Sequence, residues 1–171
     1  MHLLLLPGMD GTGELFEPLL RALPPSLRAI VVAFPADKPW GYEELLPLVE
    51  AAVPDGVEFV ILAESFSGPL AFLLAARDPP GLRGVILSAS FVRSPVPAFM
   101  RYLRFLVRPL WFRSIPNVLP IWALLGSYTT APLRTMLQET LAKIRPTVMA
   151  ARARAVRRRV LPGARGRDRL R

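Results

Sequence analysis

The sequence contains no cysteine, and its only histidine is His2. Without cysteine, disulfide bonds, zinc–thiolate sites and cysteine nucleophiles are all excluded. The absence of disulfides is compatible with a reducing cytoplasm, which is the predicted location. No metal site and no cofactor is predicted.

The chain also lacks a long uninterrupted apolar segment, although 52% of its 171 residues are hydrophobic. The longest uncharged run, residues 114–133, contains three prolines and a glycine. A membrane-spanning helix needs about 20 mostly apolar residues, and these helix breakers argue against one. The N-terminal segment MHLLLLPGMDG has no basic region and too short an apolar stretch for a signal peptide. We therefore expect a soluble single domain without membrane association.

Acidic residues are scarce in the second part of the chain. Residues 1–100 carry 6 Lys and Arg against 11 Asp and Glu, whereas residues 101–171 carry 16 against 2. The last twenty residues hold nine arginines and one acid, Asp168. Such a block can bind nucleic acid or anionic lipid. It has no aromatic residue to stack on bases, so a solvated tail is favoured and no specific nucleic-acid partner is predicted.

Short apolar runs alternate with helical patterns in the first half of the sequence. Strands are predicted at 3–6, 29–34, 57–62 and 84–88, with helices at 12–23, 42–53 and 66–76. This alternation predicts an α/β fold with a mostly parallel sheet covered by helices on both faces.

The β/α alternation stops near residue 94, and this predicts three regions. Residues 1–93 form the core, and residues 94–150 form short helices broken by prolines. These helices are interpreted either as a cap or lid over a site or, equally, as an ordinary surface layer. Residues 151–171 are predicted to be an Arg-rich tail that is disordered or degenerate.

Ser65 lies between the third predicted strand and the helix that follows it. The residues two before and two after it, Ala63 and Ser67, are small, and Gly68 comes next. A strained strand-to-helix turn needs small residues at these positions because the backbone passes close to itself, and its usual pattern is G-x-S-x-G. The pattern predicts a nucleophile elbow with Ser65 as the nucleophile.

The loop after the first strand, Pro7-Gly8-Met9, lies at the carboxyl end of that strand. Ligands of parallel sheets bind at this end, so the amides of Met9 and Phe66 are predicted to form an oxyanion hole. A phosphate-binding loop is the weaker alternative, because GMDGTG lacks the Lys-Ser/Thr ending and does not match G-x-G-x-x-G. Asp10 is interpreted as a turn former rather than a catalyst.

The order of these features resembles the α/β-hydrolase family, of the serine esterase and lipase type. The resemblance covers roughly residues 2–150, through LLLLPGMDGTGELFEPLL at 3–20, VEFVILAESFSGPLAFLLAA at 57–76 and LRGVILSASFVRSP at 82–95. It implies that Ser65 forms an acyl-enzyme, with Met9 and Phe66 donating to the oxyanion. It also implies a histidine base and an acid that follow the serine in the chain.

No histidine follows Ser65, and His2 is expected at the wrong end of the sheet. Of the later carboxylates, Asp78 is expected at that wrong end too, and Glu139 belongs to the helical region. Asp168 loosely resembles the family's strand–Gly–x–Asp segment and is the candidate acid. We therefore expect a shortened member of the family, whose final strands are missing or degenerate and whose tail is out of frame or degenerate.

The sequence predicts two alternative functions. The first is a serine hydrolase that cleaves a carboxylic ester or similar acyl bond of a small apolar substrate. The second is a non-catalytic hydrolase relic or small-molecule-binding module. Anion or membrane association through the arginine block is a third, weaker possibility. The sequence does not indicate the oligomeric state.

Overall fold

The computed structural model describes residues 1–92 and 130–156, which fold around a four-stranded parallel sheet. The strands are β1 (His2–Leu6), β2 (Arg28–Val31), β3 (Phe59–Glu64) and β4 (Leu82–Ser88). The helices are α1 (Glu17–Ala22), α2 (Tyr42–Ala51), α3 (Gly68–Ala75), α4 (Ala131–Ala142) and α5 (Pro146–Val156). Single 3-10 turns, Glu14–Phe16 and Ser65–Ser67, precede α1 and α3. The predicted α/β class is thus confirmed.

The strand order is β2-β1-β3-β4, so the chain starts in the middle of the sheet. It moves outward to β2, crosses back over β1 to β3, and continues to β4. Parallel crossovers are right-handed, so crossovers that run in opposite directions along the sheet place their helices on opposite faces. Helix α1, between β1 and β2, therefore lies on one face, and α2 and α3 lie on the other. Both faces of the sheet are therefore covered, as predicted.

Alternate residues of β1 supply two separate cores, as the two-residue period of a strand requires. Leu4 and Leu6 belong to the larger core, which includes buried residues of α2 and α3. Leu3 and Leu5 pack with Phe16 beside α1 on the other face. All four leucines are buried, so the continuous apolar run in the sequence reflects a strand covered on both sides.

The carboxyl ends of β1 and β3 are neighbours, with Leu6 paired to Ala63. The chain leaves β1 towards β2 and leaves β3 towards β4, in opposite directions across the sheet. In open parallel sheets, ligands bind in the crevice that such a reversal leaves between the two loops, outside the carboxyl ends of the strands. Gly8 and Ser65 lie in these two loops.

Helix α5 packs over this same end of the sheet. Val148 and Met149 form a small cluster with Ile144 that also contacts Met9, while Ala155 and Val156 join the larger core. The helix runs through residue 151, where the Arg-rich tail was predicted to begin, and continues to Val156. The rest of the predicted tail, with Asp168, and most of the predicted cap lie outside the described residues.

None of the described helices has both the length and the apolar character needed to cross a bilayer.

Candidate functional site

Ser65 follows the last residue of β3 directly and opens the 3-10 turn that leads into α3. Its φ is 45°, in the left-handed region that non-glycine residues rarely adopt. This conformation costs an L-residue about 1–2 kcal/mol. It persists only where the surrounding structure imposes it, and such strain clusters at functional sites.

Close packing on both sides imposes the turn at Ser65. The buried Ser67 hydroxyl donates to the Pro7 carbonyl and so joins the turn to the loop after β1. The Ser90 hydroxyl, beyond β4, donates to the Ser65 carbonyl. A β-carbon at Gly68 would overlap with the Ser90 hydroxyl and the Phe91 carbonyl, so only glycine fits there. Contacts with two neighbouring loops thus explain the small residues Ser67 and Gly68.

Phe66 is held by two aromatic neighbours, Tyr42 and Phe34. Its ring stacks on that of Tyr42, with centroids 4.6 Å apart, and meets Phe34 edge-on at 6.4 Å. The Tyr42 hydroxyl also donates to the Phe66 carbonyl at 3.0 Å. Burial raises the pKa of Tyr42 well above its usual range, so the hydroxyl keeps its proton for this hydrogen bond. The backbone of the turn has little freedom to move.

The two predicted oxyanion donors, Met9 and Phe66, lie in the loops on either side of the crevice. Phe66 is the second residue of a 3-10 turn, where the amide has no acceptor within the helix. Within residues 1–92 and 130–156, the Met9 amide has no hydrogen-bond acceptor either. Neither amide is thus satisfied by the described residues, although Phe66 itself is buried, and the Ser67–Pro7 hydrogen bond ties their loops together.

The loop between β1 and α1 is built around Asp10, as expected of a turn former. The Asp10 carboxylate accepts from the Thr12 amide at 2.9 Å and from its hydroxyl at 2.8 Å. Gly11, with φ of 74°, donates to the Gly8 carbonyl at 3.1 Å and closes the turn. One oxygen of the carboxylate, Oδ2, is thus engaged within the loop itself.

Glu64 is a polar residue of this site that the sequence did not single out. A β-carbon at Gly8 would lie 3.2 Å from an Asp10 carboxylate oxygen and 3.4 Å from a Glu64 carboxylate oxygen. Burial and, to a lesser extent, the charge of Asp10 raise the pKa of Glu64 from 4.5 to about 7. The group is thus only partly ionised at neutral pH. The signal available beforehand was a glutamate ending an apolar strand beside a loop that carries an aspartate.

Arg152 was also missed, because it was counted with the tail. Its side chain is 0% exposed. One guanidinium nitrogen, Nη1, donates to the carbonyls of Met9 at 2.8 Å and Asp10 at 2.7 Å, and Nη2 donates to that of Pro35 at 2.9 Å. Burial, opposed by the nearby Asp10 charge, lowers the pKa of Arg152 to about 10, so it is still a cation at neutral pH. Val148 and Val156, four residues away on each side, were the signal for a buried helix face.

The remaining candidates do not join the site. His2 pairs with Phe59 at the amino end of the sheet, so about 20 Å separates it from Ser65 at roughly 3.3 Å per residue. Asp78 lies between α3 and β4, also at the amino end. Glu139 lies on α4, in a groove of about 350 Å³ against α1. Among the described residues, no three His, Asp or Glu side chains are grouped to hold a metal ion.

No protein-family model matches the chain, and no curated protein matches it either.

Proposed function

We propose that the chain is a serine hydrolase of the α/β-hydrolase type, acting on a carboxylic ester or similar acyl bond through Ser65. The observation that carries this proposal is the left-handed backbone of Ser65 at the carboxyl end of β3. A strained serine at a topological switch point, beside a glycine loop, is the arrangement that α/β-hydrolases use for acyl transfer.

In this reaction the Ser65 hydroxyl oxygen attacks the acyl carbonyl, and the proton that it loses is the one finally delivered to the departing alkoxide. The Met9 and Phe66 amides stabilise the negative charge that develops on the carbonyl oxygen. Collapse of the tetrahedral intermediate breaks the ester bond, protonates the departing alkoxide and leaves an acyl-enzyme, which water then hydrolyses. The family's acid is assigned to Asp168 by resemblance. The proton acceptor is not assigned, because His2 is remote.

The proposed substrate is a small apolar acyl compound. An apolar cluster supports this choice, because Met149 of α5 and Ile144, just before α5, pack together against Met9. The two acidic groups of these loops are both engaged otherwise: Asp10 accepts hydrogen bonds within its own turn, and burial keeps Glu64 partly protonated.

An activated fluorophosphonate tests the nucleophile without requiring complete turnover. We expect the full chain to be labelled at one residue, located at Ser65 by peptide mapping, and labelling to disappear in Ser65→Ala. Ser26→Ala is the matched control, because Ser26 is exposed and remote from the crevice. Labelling that persists in Ser65→Ala would contradict the proposal.

A non-catalytic relic or small-molecule-binding module is the second candidate, favoured by the position of the only histidine at the far end of β1. The same experiment distinguishes it. A chain that is folded by circular dichroism and melts cooperatively, but is not labelled, would favour this alternative over the hydrolase.

A further inference from the structure

Arg152 connects helix α5 to the loop that carries one of the two proposed oxyanion donors. The guanidinium lies under residues 9–11 and donates to two successive carbonyls, those of Met9 and Asp10. Hydrogen bonds from a cation are about twice as strong as neutral ones. One nitrogen, Nη1, donates to both loop carbonyls, and the planar group is fixed by the third bond, from Nη2 to the Pro35 carbonyl. The peptide planes next to the Met9 amide are thus held by Arg152.

The loop is shaped to admit this side chain. A β-carbon at Gly11 would overlap with the guanidinium, so glycine is needed at that position for Arg152 to enter. The guanidinium carbon also lies 5.7 Å from the centre of the Phe34 ring, and Phe34 packs edge-on against Phe66. Arg152 therefore contacts the Met9 side of the crevice directly and the Phe66 side through one ring.

A purely structural role, anchoring α5, explains Arg152 less well. The helix is already held by buried apolar side chains, among them Val148, Ala150 and Ala155. A buried cation carries a large desolvation penalty that a methionine of similar size would avoid. Among the described residues the Arg152 Nε also has no acceptor. An arginine is nevertheless present where its donors reach the loop carbonyls.

We propose that Arg152 is a positioning residue that holds the 8–11 loop so that the Met9 amide faces the oxyanion. This inference rests on the proposed function. Helix α5 then contributes to the site, because Arg152 orients the Met9 amide from a position 143 residues later in the sequence.

The test compares fluorophosphonate labelling of the full-length chain and its Arg152→Met, Arg152→Lys and Arg145→Met variants, well below their unfolding temperatures. Loss of one oxyanion donor costs about 100- to 1000-fold in rate. We expect the maximal labelling rate to fall about 10- to 100-fold in Arg152→Met, with half-saturating probe concentration changed less than threefold. The Arg152→Lys variant keeps the positive charge but not the planar guanidinium, so it should restore part of the labelling rate. Arg145 is exposed and just precedes α5, so its variant should label normally.

A second pair of variants covers the case in which Arg152→Met does not fold. Gly11→Ala places a methyl group against the guanidinium, whereas Gly13→Ala, at a similar φ of 77°, places it against Val31. Only Gly11→Ala should slow labelling strongly. Equal slowing in both variants, or a wild-type rate in folded Arg152→Met, would overturn the proposal.

Hydrogen exchange separates this inference from the proposed function. Faster amide exchange at residues 8–11 in Arg152→Met, with α3 unchanged, is the expected result, and unchanged exchange there would count against the positioning role. Absence of labelling in the wild-type chain would remove the hydrolase proposal, whatever the exchange data show.

Discussion

Replacing Glu64 by glutamine tests the electrostatics of the crevice without changing its shape. Glu64 is half-buried against Gly8, and its pKa is raised from 4.5 to about 7, first by burial and then by the charge of Asp10. The folded state therefore binds a proton more tightly than the unfolded chain. Between about pH 4.5 and pH 7 the folded state carries more protons than the unfolded chain, so the free energy of unfolding falls as the pH rises.

The size of the effect follows from the shift in pKa. A change from 4.5 to about 7, at 1.36 kcal/mol per unit, gives an upper limit of roughly 3 kcal/mol. Since the side chain is still partly exposed and screened by solvent, about 1–3 kcal/mol is the expected penalty above pH 7. Below about pH 4.5, Glu64 is protonated in both states and the penalty disappears.

Glutamine stays neutral throughout, so Glu64→Gln should be more stable than wild type by about 1–3 kcal/mol at pH 8. The two proteins should differ little at pH 4.5. Urea unfolding from pH 4.5 to 9 measures this difference, with Glu139→Gln on the exposed face of α4 as the control. A constant difference between Glu64→Gln and wild type across this range would refute the reasoning.

Three further comparisons, made with five variants, test the packing of the turn. Ser65→Gly should be about 1 kcal/mol more stable to urea than Ser65→Ala, because glycine tolerates the φ of 45°; equal stability would argue against strain at this residue. Gly68→Ala should lose about 1–3 kcal/mol through overlap with two neighbours. Gly84→Ala, which has open space around it, should change by less than about 0.5 kcal/mol, and a similar loss in both would contradict the packing argument. Tyr42→Phe should lower the free energy of unfolding by about 1 kcal/mol, since it removes the hydrogen bond to Phe66; no change would mean that this bond adds nothing to stability.

The sequence predicted the local structure around Ser65 well. An apolar strand, a serine flanked by small residues and a periodic helix specify a strand–turn–helix unit through short-range contacts. The second strand was predicted less well, because 29–34 is uniformly apolar while β2 ends at Val31. Phe34 leaves the sheet, donates to the Gly11 carbonyl at 2.7 Å and packs on Phe66. Hydrophobicity alone does not distinguish a strand residue from a buried loop residue.

The sequence by itself determined the α/β class, the turn at Ser65 and the remoteness of His2, because each depends on periodicity or on distance along a strand. Tertiary structure alone decided the environment of Glu64 and the burial of Arg152. Burial raises the pKa of Glu64, and the charge of Asp10, in the loop that follows the adjacent strand β1, raises it further. Arg152 is surrounded by other arginines in the sequence, and only the packing of α5 against residues 9–11 takes its charge out of water. Such properties depend on groups brought together from distant parts of the chain. A local pattern can indicate a buried helix face or a strand end, but it does not identify the distant groups that meet there.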